Sequence, residues 1–335
     1  MSILTLDKLP KQVLAKIDLQ TAFLASRCVI AAERLQLFRK LHGKSLTSTE
    51  IGRKTGIRQP RREFFLATLI SLGLLRKKGN TYSLTPLARK YFVEERSIYW
   101  TTLRSEELVD EYQAFLPLEE VLTTGQSYQS ILGIKRPSYT EKMKKNPKWA
   151  HDFTHMLYYH HQDNAKALAK HLDLSGYRRL LDIGGGSGVM SMALLRKYRS
   201  LSATILDFPP VCKAATKIIQ KEGLAKRLDT QPGDLNKRLP SGYDVIMFCD
   251  IGETDPEVLK RAYRALPKGG KIVVADYFAK EDWSGPLLRF MWQLRSDTPW
   301  LITASRAAKL VRSVGFKSVK RRELRADIIM VTGIK

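Results

Sequence analysis

The residues with the clearest chemical capacity lie in the second half of the chain. Residues 178–188 read Arg-Arg-Leu-Leu-Asp-Ile-Gly-Gly-Gly-Ser-Gly. The apolar run at 180–183 predicts a short buried strand that enters a glycine-rich turn, with a helix over 189–198 behind it. Gly184, Gly186 and Gly188 allow backbone to approach a ligand closely, and the first N–H groups of the helix have no partners within it. About 20 residues further on, a second predicted strand at 202–206 ends in Asp207-Phe208-Pro209, where a carboxylate can accept both hydroxyls of a ribose. Asp182, at the end of the first strand, supplies a second carboxylate beside the glycines.

The turn does not carry the dinucleotide fingerprint G-x-G-x-x-G. Counted from Gly184 and Gly186, the third glycine position holds Val189; counted from Gly186 and Gly188, it holds Ser191. An acidic residue at Asp182 suits a cofactor with an ammonium group, which S-adenosylmethionine has and a nicotinamide dinucleotide lacks. The elements that must position these residues alternate. A third strand region leads to Gly233-Asp234-Leu235, and a fourth, at 243–248, to Cys249-Asp250. A helix at 256–266, the turn Pro267-Lys268-Gly269-Gly270 and a strand at 271–276 follow. A helix over 303–314 and a strand pair at 318–322 and 328–332 close the chain. This is the α/β pattern of a doubly wound, Rossmann-like domain, with the cofactor across the carboxyl ends of the strands.

The rest of the chain is mainly helical. Apolar residues recur at helical spacing over 13–41, Thr47 and Glu50 form a capping box, and a helix is expected over 59–72. Two short strands around Gly79-Asn80 complete a winged-helix order. The expected division is a winged-helix domain at 1–100, a helical, pocket-lining span at 101–172 and the cofactor domain at 173–335. Helices are expected over 100–118 and, unbroken, over 149–172. Tyr158 or Tyr159, with Phe290, Met291, Trp292 and Trp300, are candidates for an acceptor pocket, although core packing accounts for them equally. Arg289 and Arg295 could meet an acidic substituent of the acceptor, but their pattern reads as that of surface residues.

Composition narrows the function classes. The 335 residues carry 57 basic and 33 acidic side chains, a net charge of +24. Half of the excess lies in residues 1–100, where Arg58, Arg61 and Arg62 open the expected second helix of the wing and Arg76, Lys77 and Lys78 precede the hairpin. That placement suits duplex DNA, so a regulator with a ligand-sensing cofactor domain is one reading. Cys28, Cys212 and Cys249 match neither a disulfide framework nor a metal-ligand spacing, and His151 with His155 lack the carboxylates or thiols of a metal site. No metal is expected. The sequence contains no signal-peptide pattern and no apolar run long enough to cross a bilayer, and a cytoplasmic location is expected.

The ordered segments Leu181-Asp182-Ile183-Gly184-Gly185-Gly186-Ser187-Gly188, Leu206-Asp207-Phe208-Pro209, Gly233-Asp234-Leu235, Leu239-Pro240 and Arg264-Ala265-Leu266-Pro267-Lys268-Gly269-Gly270 together resemble the small-molecule O-methyltransferases of plant caffeate/flavonoid and bacterial natural-product type. These are class I S-adenosylmethionine-dependent enzymes with an N-terminal winged-helix dimerisation domain, and the resemblance covers nearly the whole chain. It implies that Asp182 and the turn of Gly184, Gly186 and Gly188 hold the methionine part of the cofactor. Asp207 would hold the ribose, Phe208 the adenine face, and Asp234 with Leu235 its flank. Cys249 would stand where the family places a cofactor-proximal serine or lysine. It implies a homodimer acting on an aromatic or polycyclic small molecule in secondary metabolism, with nucleic acid displaced as the partner of the basic domain.

The sequence departs from the family at the base. Its members commonly follow the fourth strand with His-Asp-Trp, whose histidine deprotonates the acceptor hydroxyl. Here the stretch is Cys249-Asp250-Ile251-Gly252-Glu253-Thr254-Asp255-Pro256, and Glu253 falls at the histidine position. A carboxylate whose pKa is raised by burial can serve as a base, and so can an imidazole. Glu253, or else His160 or His161 on the predicted 149–172 helix, are therefore the candidates. An acceptor that needs little help from a base and a member that binds cofactor without transferring methyl stay open beside them.

Overall fold

The computed structural model describes residues 8–94, 107–252, 255–294, 300–325 and 328–335. The chain divides into two compact units, Met1–Gln113 and Ala114–Lys335. The boundary falls inside the span 101–172.

In the first unit, short helices and a three-stranded sheet surround one apolar core that includes Leu37, Phe38, Ile51, Leu66, Leu69 and Leu74. Strands β1 (Leu46–Thr47), β2 (Leu75–Lys78) and β3 (Thr81–Leu84) lie in the order β1-β3-β2. The capping box forms as expected. Thr47 accepts from the Glu50 N–H while the Glu50 carboxylate accepts from the Thr47 N–H, satisfying two otherwise orphaned donors at the start of the helix Ser48–Thr55. The next helix is Arg61–Ser71, two residues shorter at its start than the sequence suggests. Of the basic residues at that start, Arg62 is engaged internally: its guanidinium donates to Ser48 Oγ at 2.8 Å and to the Ile57 carbonyl at 3.2 Å. Arg58 and Arg61 are exposed.

The second unit is built on β4 (Arg179–Ile183), β5 (Ser202–Asp207), β6 (Leu228–Pro232), β7 (Val245–Cys249), β8 (Lys271–Asp276), β9 (Lys317–Arg325) and β10 (Ile328–Ile334), in the order β6-β5-β4-β7-β8-β10-β9. The five strands β4 to β8 are parallel, and β10 runs antiparallel to both β8 and β9. Both faces are covered, so β7 is buried at all five residues and reads as a continuous apolar run rather than an alternation. One core, including Leu168, Met192, Leu195 and Ile218, packs on one face, and another, including Leu259, Ala262, Ala307 and Val311, on the other.

From β4 the chain goes outward to β5 and β6, then returns to β7 on the opposite side of β4. That reversal opens a crevice at the carboxyl ends of β4 and β7, the place where open α/β sheets bind ligands. The closing strand pair is longer than expected. The expected helix over 149–172 is two helices, Pro147–His160 and Gln162–His171, which meet at His161. Part of the expected helix at 100–118 lies outside the described residues.

Candidate cofactor and acceptor site

β4 delivers the glycine turn to this crevice. Gly184, Gly186 and Gly188 take φ of +64°, +54° and +75°, left-handed values that side chains resist, and Gly188 starts the helix Val189–Lys197. Gly185 is required for a different reason: a Cβ there would lie 2.6 Å from Asp182 Cγ. Asp182 itself is fully buried. Its Oδ2 accepts from Ser191 Oγ at 2.6 Å, while Oδ1 has no hydrogen-bond partner among the described residues. Burial pushes its carboxyl up to about 7, opposed by the Ser191 hydrogen bond and assisted by the charge of Asp207. A buried, half-satisfied carboxylate beneath a glycine turn fits a ligand that brings a hydrogen-bonding cation, so the residues present fit the ammonium of S-adenosylmethionine.

β5 delivers Asp207 one strand away, at the end that pairs Ile183 with Leu206. Its carboxylate accepts the Gly186 N–H at 2.9 Å and the Phe208 N–H at 2.7 Å, and burial pushes it up to about 6. These bonds fasten the ribose candidate to the glycine turn. Asp234 pairs with Lys144 at 3.2 Å, and the Lys144 ammonium stands 4.6 Å from the centre of the Phe208 ring. The structure therefore gathers Phe208 and Asp234, with Lys144 as a member that the sequence did not single out. The Leu235 carbonyl accepts from Arg261 at 3.1 Å. Cys249 is buried at the end of β7, and burial, then the neighbouring carboxylates, push its thiol well above the ordinary range, which makes it a neutral wall residue rather than a nucleophile.

The sequence did not foresee the charged cluster next to Cys249. Asp250 takes a left-handed φ of +52°. One carboxylate oxygen accepts from Arg289, and the other lies 3.1 Å from His161 Nε2. Burial alone would raise this carboxyl, but Arg289 and then His161 outweigh it and hold Asp250 below its ordinary value. Arg289 is thus an interior residue and not the surface residue its helix pattern suggests. Its guanidinium lies over the rings of Tyr277, Trp292 and Trp300 at 4.6, 5.0 and 5.6 Å. Asp276 closes the group: it accepts from the Gly252 N–H at 3.0 Å, and burial, then the charge of Asp250, raise it to about 6.

Of the pocket candidates, Trp292 and Trp300 join this cluster. Phe290 faces Trp283, with ring centres 6.3 Å apart, and Met291 is 40% exposed on the helix Leu287–Leu294. Tyr158 turns the other way, its hydroxyl donating to Glu222 at 2.7 Å, with Tyr159 edge-on to it. His160 and His161 stand with ring centres 5.0 Å apart. Glu253 and Arg295 lie outside the described residues.

A glycine turn, two carboxylates at the ends of adjacent parallel strands and a reversal in strand order define a Rossmann-like domain built to bind a nucleoside cofactor. Comparison with known proteins gives the family. The O-methyltransferase domain matches residues 115–317, and the O-methyltransferase dimerisation domain matches residues 17–94. A 3-hydroxy-5-methyl-1-naphthoate 3-O-methyltransferase of Streptomyces sahachiroi is 29% identical over 278 residues, covering 81% of this chain and 79% of that one. An L-tyrosine C(3)-methyltransferase of Streptomyces lavendulae is 29% identical over 268 residues, covering 77% and 73%. In fold, the chain is similar to PigF with SAH, with a TM-score of 0.83 at 23% identity over 98% of this chain and 100% of that one. The chain belongs to the O-methyltransferase family. It is an S-adenosylmethionine-dependent methyltransferase with an N-terminal dimerisation domain. Among the described residues no helix is long and apolar enough to cross a membrane, and no group of side chains is arranged to hold a metal ion.

Proposed function

We propose that this methyltransferase acts on an oxygen (or nitrogen) of an aromatic or polycyclic small molecule, as a cytoplasmic homodimer paired through its N-terminal unit. The observation that carries the cofactor assignment is Asp182 Oδ1 beneath the glycine turn, which has no hydrogen-bond partner among the described residues. Asp182 and the turn then take the methionine portion, Asp207 the ribose, and Phe208, Asp234 and Leu235 the adenine. The cofactor, when bound, supplies an electrophilic methyl group on a sulfonium; the protein binds, orients and excludes water. An aromatic acceptor is supported by the naphthoate relative and by the indoles of Trp292 and Trp300 around Arg289.

Nucleic acid is not among the proposed partners, because Arg62 is committed to Ser48 and Ile57 inside its own unit. Calorimetry with S-adenosylhomocysteine, followed by mass spectrometry of a hydroxynaphthoate panel incubated with S-adenosylmethionine, tests the reading. One site per chain and a product heavier by one methylene are expected, and a protein that binds no S-adenosylhomocysteine overturns the proposal.

A further inference from the structure

We propose that His161 is the proton acceptor for the methyl-accepting hydroxyl, oriented by Asp250, and that it replaces the histidine this chain lacks after β7. The inference rests on the transferase reading above. Two contacts bring its parts to the cofactor crevice. The helix Pro147–His160 passes the glycine turn, where a Cβ on Gly186 would lie 3.9 Å from Leu157 Cδ1. On the other side, β4 and β7 pair Ile183 with Phe248, and a Cβ on Gly184 would lie 3.0 Å from Ile251 Cγ2. The chain leaving β7 and the end of the helix therefore both border the same turn, and His161 meets Asp250 there.

The 3.1 Å contact between Nε2 and Asp250 sets the tautomer. Asp250, ionised through Arg289, can only accept, so Nε2 of the neutral ring must carry the proton that lies between them. The lone pair then falls on Nδ1, the ring nitrogen that does not face Asp250, in a residue that is only 6% exposed. An imidazole with one nitrogen tied to a buried carboxylate and the lone pair on the other is the arrangement of a general base whose cationic form the carboxylate stabilises. His160 is the weaker acceptor, since burial and then the charge of His161 push it down to about 3. Among the described residues, Asp250 after β7 meets the ring directly, and Arg289 on the helix Leu287–Leu294 with Asp276 and Tyr277 after β8 are the charged or titratable groups gathered around Asp250. As the acceptor oxygen bonds the methyl carbon, the carbon–sulfur bond breaks and its electron pair stays on sulfur. The hydroxyl proton passes to Nδ1, and its loss to water restores the neutral ring.

The first test is nuclear magnetic resonance of the protein bound to S-adenosylhomocysteine, with isotope-labelled histidine nitrogens. His161 is expected as the Nε2–H tautomer, and a protonated Nδ1 in the neutral ring overturns the proposal whatever the acceptor. In the second test, His161→Gln is expected to bind S-adenosylhomocysteine within about threefold of the parent. It should methylate hydroxynaphthoates roughly a hundredfold or more slowly. A parent that methylates, beside a His161→Gln variant with the same kcat, sinks His161 as the base and leaves the transferase reading standing. A parent that binds no S-adenosylhomocysteine sinks that reading instead.

Discussion

At the scale of single residues, Asp182 makes the strongest demand on the site. Folding raises its carboxyl from 3.8 to about 7, so the cofactor-free protein holds that proton more tightly than the unfolded chain. Its contribution to stability is therefore largest at low pH and declines as pH rises from about 4 through 7. A ligand ammonium favours the anion, so binding should release a proton. Calorimetry is expected to show S-adenosylhomocysteine affinity rising from pH 5 to 7, by up to about tenfold per unit, and levelling above that. Asp182→Asn should remove the slope and weaken binding at pH 8; a variant that keeps the slope contradicts the assignment. Asp182 was legible in the sequence because it sits between a strand and a glycine turn. Arg289 was not: on the amphipathic helix Leu287–Leu294 it reads as solvated, and only a carboxylate 39 positions earlier in the chain makes an interior position tolerable.

At the scale of elements, the turn after β4 and the break at His161 contrast in legibility. The turn announces itself through four glycines, and the structure gives them separate tasks: left-handed backbone at 184, 186 and 188, and clearance at 185. Gly185→Ala should press a methyl group onto the Asp182 carboxyl, which the central strand β4 cannot move aside. We expect at least a tenfold loss of S-adenosylhomocysteine affinity by calorimetry and a lower melting temperature by calorimetric scan. Unchanged affinity would show that the carboxyl has room to turn. The break between Pro147–His160 and Gln162–His171 carries no glycine or proline, so helical periodicity runs through it without interruption. Tertiary contacts overrode local preference there: the imidazole turns to Asp250, whose own left-handed backbone belongs to a loop that no pattern marks.

For the whole molecule, the question is what the basic N-terminal unit does with its surface. Winged-helix order and the capping box were readable, yet the same basic residues that suggested DNA divide in the structure between internal ties, such as Arg62, and solvent. The apolar side chains on this unit are the more informative feature. Leu19, Phe23, Leu24 and Phe64 are 90%, 53%, 54% and 72% exposed in the single chain, and the unit matches an O-methyltransferase dimerisation domain. Large exposed apolar residues of this kind mark protein contacts more often than solvent-facing surface. A second copy of the chain is the proposed cover. Analytical ultracentrifugation should give the parent twice the mass of one chain. A Phe23→Glu, Phe64→Glu double variant should sediment as a monomer, because a carboxylate at each position must be desolvated for the faces to meet. Its second unit should still bind S-adenosylhomocysteine, since the candidate cofactor residues all lie beyond residue 113. A parent that sediments as a monomer, or a double variant that stays dimeric, removes this face from the account. Retention of the parent by duplex DNA at physiological salt, lost on neutralising Arg58 and Arg61, would return the +24 charge to the nucleic-acid reading.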